Sequence, residues 1–166
     1  MIPAWHLAQI NLAYARGDED DPVMAGFMAQ LDEINALADR SPGFLWRHLT
    51  DSRDPGQREL ADKRVLFNMS VWDSVESLHA FAYKTQHAKV FAARKKWFAD
   101  WKDHVGSLAE LGEGSPFLAL WWVPAGHLPT PAEGLERLRM LRARGPHPHA
   151  FTFKCRFTPE GEPAAR

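Results

Sequence analysis

The residues best suited to chemistry gather in one stretch, Arg64 to Val105, where His79, His87, Asn68 and a run of aromatic rings recur at short spacing. His79 and His87 are the candidate acid–base groups, because imidazole exchanges a proton near neutral pH. The competing reading is structural: either ring can cap or satisfy backbone groups where one helix gives way to the next. Asn68 is suited to donate to a substrate carbonyl or to hold the oxygen of an enolate-like species; pairing with a neighbouring side chain is the alternative. Trp72, Phe91 and Trp97 are candidate contacts for a flat apolar substrate, and as large rings they serve equally as core anchors.

Other groups carry less. His147-Pro148-His149 sets two imidazoles at i and i+2 on extended chain, but without a third ligand nearby a solvated turn is the plainer reading. His127, in the turn Pro124-Ala125-Gly126-His127, reads as a hydrogen bond that fixes a loop. The single cysteine, Cys155, has no partner for an internal disulfide and lies in an alternating apolar run, so it reads as a buried bystander thiol. No Gly-rich phosphate loop follows a strand, and there is neither a paired Cys motif nor a serine elbow, which leaves nucleotide, structural zinc and hydrolase chemistry unsupported.

These groups need elements to position them. Ala4 to Asn11 alternates as a first strand, with Trp5, Leu7, Gln9 and Asn11 on one face. Asp21-Pro22 signals a helix start, and Phe27, Leu31, Ile34 and Ala38 form its apolar stripe until Ser41-Pro42-Gly43 ends it. Phe44 to Leu49 is a second strand with Phe44, Trp46 and His48 on one side; Asp51 to Lys63 is a hairpin excursion into the central strand, Arg64 to Trp72. On that strand Val65, Phe67, Met69 and Val71 face one way, and Leu66, Asn68, Ser70 and Trp72 the other, as a pocket wall would. Asp73-x-x-Glu76 is a capping box for the next helix, whose pattern breaks near Thr85 and restarts through Val90, Trp97, Trp101 and Val105. Gly106 to Pro116 is a loop. Phe117 to Val123 is a strand buried on both faces, Thr130-Pro131-x-Glu133 starts a helix with inner stripe Leu135, Leu138 and Leu141, and Ala150 to Phe157 is an edge strand followed by a frayed tail.

The order β-α-β-β-α(α)-β-α-β is therefore α+β, a ferredoxin-like βαββαβ protomer with an extra C-terminal α-β unit. Residues 1–157 are expected to form one domain and 158–166 a flexible tail. With helices on one face of the sheet, the apolar opposite face is expected to be buried against a second copy, which makes a homodimer.

Composition narrows the partners. With 20 basic and 21 acidic residues the net charge is −1, so the chain lacks the basic field that nucleic acid binding needs. No signal-type N-terminus and no apolar run of about 18 residues is present, which points to a cytoplasmic protein with no membrane partner. Seven Trp, ten Phe and eight His suit an enclosed apolar cavity as well as a dense core.

The central segment, Val71-Trp72-Asp73-Ser74-x-Glu76-x-Leu78-His79-x-Phe81 and then Lys84-Thr85-x-His87-x-x-Val90-Phe91, resembles the dimeric α/β barrel superfamily of antibiotic-biosynthesis monooxygenases. Asp21-Pro22, Arg40-Ser41-Pro42-Gly43-Phe44, Leu120-Trp121-Trp122-Val123-Pro124-Ala125-Gly126-His127 and Ala150-Phe151-Thr152-Phe153 resemble, within that fold, the bacterial family called domain of unknown function 3291. The resemblance implies a dimeric α/β barrel with a small-molecule pocket. Haem-degrading relatives of the fold use an Asn on the first strand and a Trp ending the third, matched by Asn11 and Trp72, but their axial His falls at Ala92. No cofactor is therefore expected, haem being the exception to test. The implied function is a cofactor-independent, monooxygenase-like enzyme acting on a small hydrophobic or aromatic metabolite, with His87 or His79 as base, Asn68 or Asn11 as oxyanion donors, and Trp72, Phe91 and Trp97 against the substrate. The alternative is a non-catalytic small-molecule or haem-binding protein.

Overall fold

The computed structural model describes residues 4–49, 64–99 and 117–165. The expected hairpin excursion over 51–63, the loop over 106–116, and Trp101 and Val105 lie outside the described residues. Four strands, β1 (Trp5–Tyr14), β2 (Phe44–Arg47), β3 (Val65–Trp72) and β4 (Leu118–Pro124), form one antiparallel sheet in the order β2-β3-β1-β4. This is the strand order of the split βαβ plan expected from the element sequence.

The helices start where their caps dictate. The Asp21 carboxylate accepts from the Val23 N–H, and a 3-10 turn over Pro22–Met24 leads into α1 (Ala25–Asp39). Gly43, at φ +82°, turns the chain into β2, and its carbonyl accepts from the Asp73 N–H at 2.8 Å, which ties that turn to the start of α2 (Val75–Lys84). The cap of α2 is Ser74, whose hydroxyl accepts from the Ser77 N–H, and not Asp73 as the spacing had suggested. Asp73 instead accepts from the Ser74 hydroxyl at 2.8 Å. A short helix α3 (His87–Ala92) and a 3-10 turn over Arg94–Lys96 follow.

The inner face of the sheet, under α2, is a set of cross-strand rows fixed by register: Leu7 with Trp72 and Trp122, Gln9 with Ser70 and Leu120, Asn11 with Asn68 and Leu118. Leu7, Trp72, Leu120, Val75, Leu78 and Phe151 make its buried core. The outer face carries Ala8, Ile10, Leu12, Met69, Val71, Ala119, Trp121 and Val123. It is not left bare for a second copy over this area, because α4 (Pro131–Arg144) lies on it with Leu135, Leu138 and Leu141 at 0%, 0% and 3% exposure. Helices thus occupy both faces of the sheet.

Two strand readings change. A bulge between Phe44 and Trp46 breaks the alternation of β2, so Phe44 meets Trp72 on the inner face while Trp46 joins the outer core with Phe67, and Leu45 is exposed. The expected edge strand over Ala150 to Phe157 joins the four-stranded sheet by one bridge, Phe151 with Leu120, and only its last two residues are strand, in a separate pair. The chain then turns: the Thr152 N–H donates to the Cys155 carbonyl and the Thr152 hydroxyl accepts from the Cys155 N–H. That turn leaves Cys155 exposed, not buried. Residues expected to be a tail fold back, with β5 (Arg156–Phe157) paired to β6 (Pro163–Ala164). Among the described residues no helix is long and apolar enough to cross a membrane.

Candidate functional site

The inner-face rows carry a continuous hydrogen-bonded array. Gln9, 3% exposed, is its hub: its Nε2 donates to Asn68 Oδ1 at 2.6 Å and to Ser70 Oγ at 2.9 Å, and its Oε1 accepts from Asn11 Nδ2 at 3.0 Å. Asn11 Nδ2 also reaches Asn68 Oδ1 at 3.4 Å, and the Trp72 indole donates to Ser70 Oγ at 2.9 Å. Buried amides and hydroxyls in a sheet interior are tolerated only when bonded to one another in this way. The array runs from Trp72, buried at 1%, to Asn68, which is exposed although it sits on a central strand.

Around Trp72 the aromatic groups form a connected wall. Phe44 meets its indole edge-on with centroids 5.4 Å apart, and Phe81 stacks on it at 5.2 Å. His87 lies 4.8 Å beyond Phe81, and Phe91 6.4 Å beyond His87. The His87 ring is oriented by the end of α2. Its Nδ1 lies 3.0 Å from the Ala82 carbonyl, which can only accept, so Nδ1 carries a proton, and in the neutral imidazole the lone pair is on Nε2. Thr85 completes this cap, donating to the Phe81 carbonyl and accepting from the His87 N–H. The structural role read for His87 is thus performed by one ring nitrogen, and the other is left without a partner among the described residues.

His79 does not join that group. It packs against Tyr83 at 4.7 Å and Phe153 at 5.4 Å. Burial, followed by the nearby Arg156 and Lys84 charges, holds its pKa below the ordinary imidazole value, against the opposing pull of Glu76. Phe91 bridges the two histidine environments, 6.1 Å from Tyr83, with the Arg94 guanidinium 4.3 Å over its ring. Trp97 belongs to a separate cluster with Met24, Ala15 and Phe27. Asn11, Asn68 and Trp72 are therefore brought together, His87 adjoins them through Phe81, and His79 and Trp97 stand apart.

Sequence reasoning missed Gln9 and Ser70. The available signal was a glutamine and a serine at inward positions of two neighbouring strands, but only the register shows that they meet. Two other histidines are held by hydrogen bonds: His127 Nε2 bonds Glu133 Oε2 at 2.8 Å, and His147 Nδ1 donates to the Gly145 carbonyl. Among the described residues no group of three His, Cys, Asp or Glu side chains is arranged to hold a metal ion. Ala92, which the resemblance sets at the place of the axial histidine, is the exposed last residue of α3 and has no side-chain atom that could ligate iron.

A family model described as "Domain of unknown function (DUF3291)" matches residues 6–166. The chain belongs to that family. No curated protein matches this DUF3291 member. Solved structures that resemble it include SnoaB, a cofactor-independent oxygenase from Streptomyces nogalater, with 13% identity over 74% of this chain and 95% of that one and a TM-score of 0.44. PA3566 from Pseudomonas aeruginosa has 12% identity over 78% and 99%, with a TM-score of 0.46.

Proposed function

We propose that this DUF3291 member is a cofactor-independent, monooxygenase-like enzyme acting on a small hydrophobic or aromatic metabolite bound at the inner face of the sheet. The observation that carries this is the array from Trp72 through Ser70 and Gln9 to Asn68 and Asn11: fixed amides beside an aromatic wall, open to solvent only at one end. In this reading the His87 Nε2 takes a proton from an activated C–H of the substrate, and an Asn68 or Asn11 amide N–H stabilises the resulting enolate oxygen. The carbanion gives its electrons to dioxygen, forming a C–O bond. Loss of water from the hydroperoxide then converts a CH2 group to C=O, with the second oxygen atom leaving in the water.

The protein is proposed to act as a single domain in a cytoplasmic homodimer, the second copy packing on the half-buried outer strip of Tyr14, Trp46 and Phe67, which partly lines the outer core. A dimer mass in native mass spectrometry supports that assembly, and a monomer at micromolar concentration removes it. For activity, substrate-dependent oxygen uptake in the purified protein, lost in His87→Ala and retained in His79→Ala, supports the assignment; uptake unchanged in His87→Ala removes His87 as the base. A second reading, ligand binding without turnover, is favoured by one observation: among the described residues no histidine bonds directly to the amide array. Saturable binding of a compound that consumes no oxygen selects it.

A further inference from the structure

The hydrogen-bond accounting of the amide array says what kind of molecule it recognises. Asn68 Oδ1 accepts from both Gln9 and Asn11, so its two lone-pair directions are filled, while its Nδ2 donates to nothing among the described residues. Asn11 is the converse: its Nδ2 serves Gln9 and Asn68, and its Oδ1 accepts from nothing among the described residues. The two residues are direct cross-strand partners, Asn68 exposed and Asn11 half-buried. At the open end of the array a free amide N–H group therefore stands beside a free carbonyl. Turning all three amides over together preserves the array, with the Ser70 hydroxyl now donating to Gln9, and exchanges the two free groups. Either way one donor and one acceptor remain side by side.

We propose that the Asn11–Asn68 pair is a recognition edge for a planar ligand that carries a carbonyl acceptor next to an N–H or O–H donor, as a lactam, a cyclic imide or an enolisable hydroxy-carbonyl ring does. The match is that of two amides pairing through complementary edges, and it leaves the ring of the ligand to lie toward the aromatic wall. It rests on the reading of the inner face as the ligand site and does not depend on turnover.

The test is calorimetric titration of the full chain with 2-quinolone, which presents adjacent N–H and C=O groups, with 1-methyl-2-quinolone, which lacks the donor, and with quinoline, a ring system of the same size that also lacks it. Removing one hydrogen-bonding group from a desolvated pair weakens binding by roughly tenfold or more. The expected result is that 2-quinolone binds at least tenfold tighter than either analogue, and that this preference collapses in Asn68→Ala and in Asn11→Ala. Both substitutions are at sites with solvent access, and an unchanged circular dichroism spectrum checks the fold. Equal binding of all three compounds leaves the ligand site standing and overturns the recognition edge. A preference that survives both substitutions also overturns it. No binding of any compound overturns the reading of the face as a ligand site and the edge with it.

Discussion

Replacing Gln9 by methionine tests whether the array is one unit. Methionine has nearly the shape of glutamine and suits a position 3% exposed, but it makes none of the three hydrogen bonds. At about 0.5–1.5 kcal/mol net per bond, their removal would cost as much as ~4 kcal/mol if nothing else changed. Two of them end on Asn68 and Asn11, where water can replace the lost partner. Ser70, 6% exposed, keeps the Trp72 N–H. The apolar side chain also recovers on the order of 1 kcal/mol by burial. The net loss is therefore about 1–2 kcal/mol, and with a urea m-value of ~2 kcal/mol/M the midpoint should fall by about 0.5–1 M at unchanged m. The larger effect is on recognition: without Gln9 the Asn68 and Asn11 amides lose the bonds that fix their planes, so 2-quinolone affinity should fall about tenfold through lost preorganisation. Combining Gln9→Met with Asn68→Ala in a double-mutant cycle should reveal coupling of about 1 kcal/mol. Unchanged stability together with zero coupling would refute the claim that these side chains act together.

Three further outcomes follow from particular contacts. His79 resists protonation in the folded state, so as pH falls through the ordinary imidazole value, about 6.5, the unfolded chain takes up a proton that the folded chain refuses. Its contribution is complete above that value and is lost as pH drops toward the depressed pKa; His79→Leu should flatten the stability profile between about pH 7.5 and 5.5, and an unchanged slope would contradict this. Glu133→Ala strands the indole N–H of Trp121, a residue at 0% exposure that donates to Glu133 Oε1 at 3.0 Å, and should destabilise by about 1–3 kcal/mol, whereas Glu133→Gln keeps an acceptor and should lose less than half of that; equal losses would show that the acceptor is immaterial. Cys155 should react with a disulfide reagent in the native protein at close to one equivalent per chain; reaction only after unfolding would show the thiol to be protected.

The parts of the fold legible in the sequence are those written locally. Thr130-Pro131 gave the start of α4 because a threonine three residues before an N–H is a cap wherever it occurs, and the Thr130 hydroxyl does accept from the Glu133 N–H at 3.2 Å. The other half of that box was not legible: the Glu133 carboxylate turns away from the cap toward Trp121 and His127, partners that only the folded sheet supplies. Ser74 displaced Asp73 as a cap because both are good cap residues and the neighbouring Gly43 carbonyl engages the Asp73 backbone. The β2 bulge lies at an apolar residue, Leu45, and no periodicity marks it. For the site, Asn68 and Trp72 share a face by period two alone, but the hub at Gln9 depends on the pairing of Gln9 with Ser70 across strands separated by most of the fold's first half. Nothing near Gln9 in sequence distinguishes it from a solvent-facing residue.

The two faces of the sheet can be perturbed separately, and that separation is the sharpest check on where the site lies. On the outer face α4 comes close because Gly134 has no side chain: a Cβ there would stand 2.8 Å from Ile10 Cδ1 and 3.1 Å from Met69 Sδ, both on side chains at 0–1% exposure with no room to yield. Gly134→Leu gains about 1 kcal/mol in helix propensity but overpacks this contact, which typically costs 1–3 kcal/mol and more where the neighbours are boxed in. A net loss of about 1–2 kcal/mol follows, similar to that of Gln9→Met. On the inner face, by contrast, burial declines from the Trp72 row to the Asn68 row, and polarity rises with it, so the opening lies with the amides and away from α4. Two substitutions of equal effect on stability should therefore differ in binding: Gly134→Leu should keep the preference for 2-quinolone over its methylated analogue, and Gln9→Met should lose it. Equal loss of preference in both would mean that binding follows overall stability, and the inner-face array would have no claim to be the site.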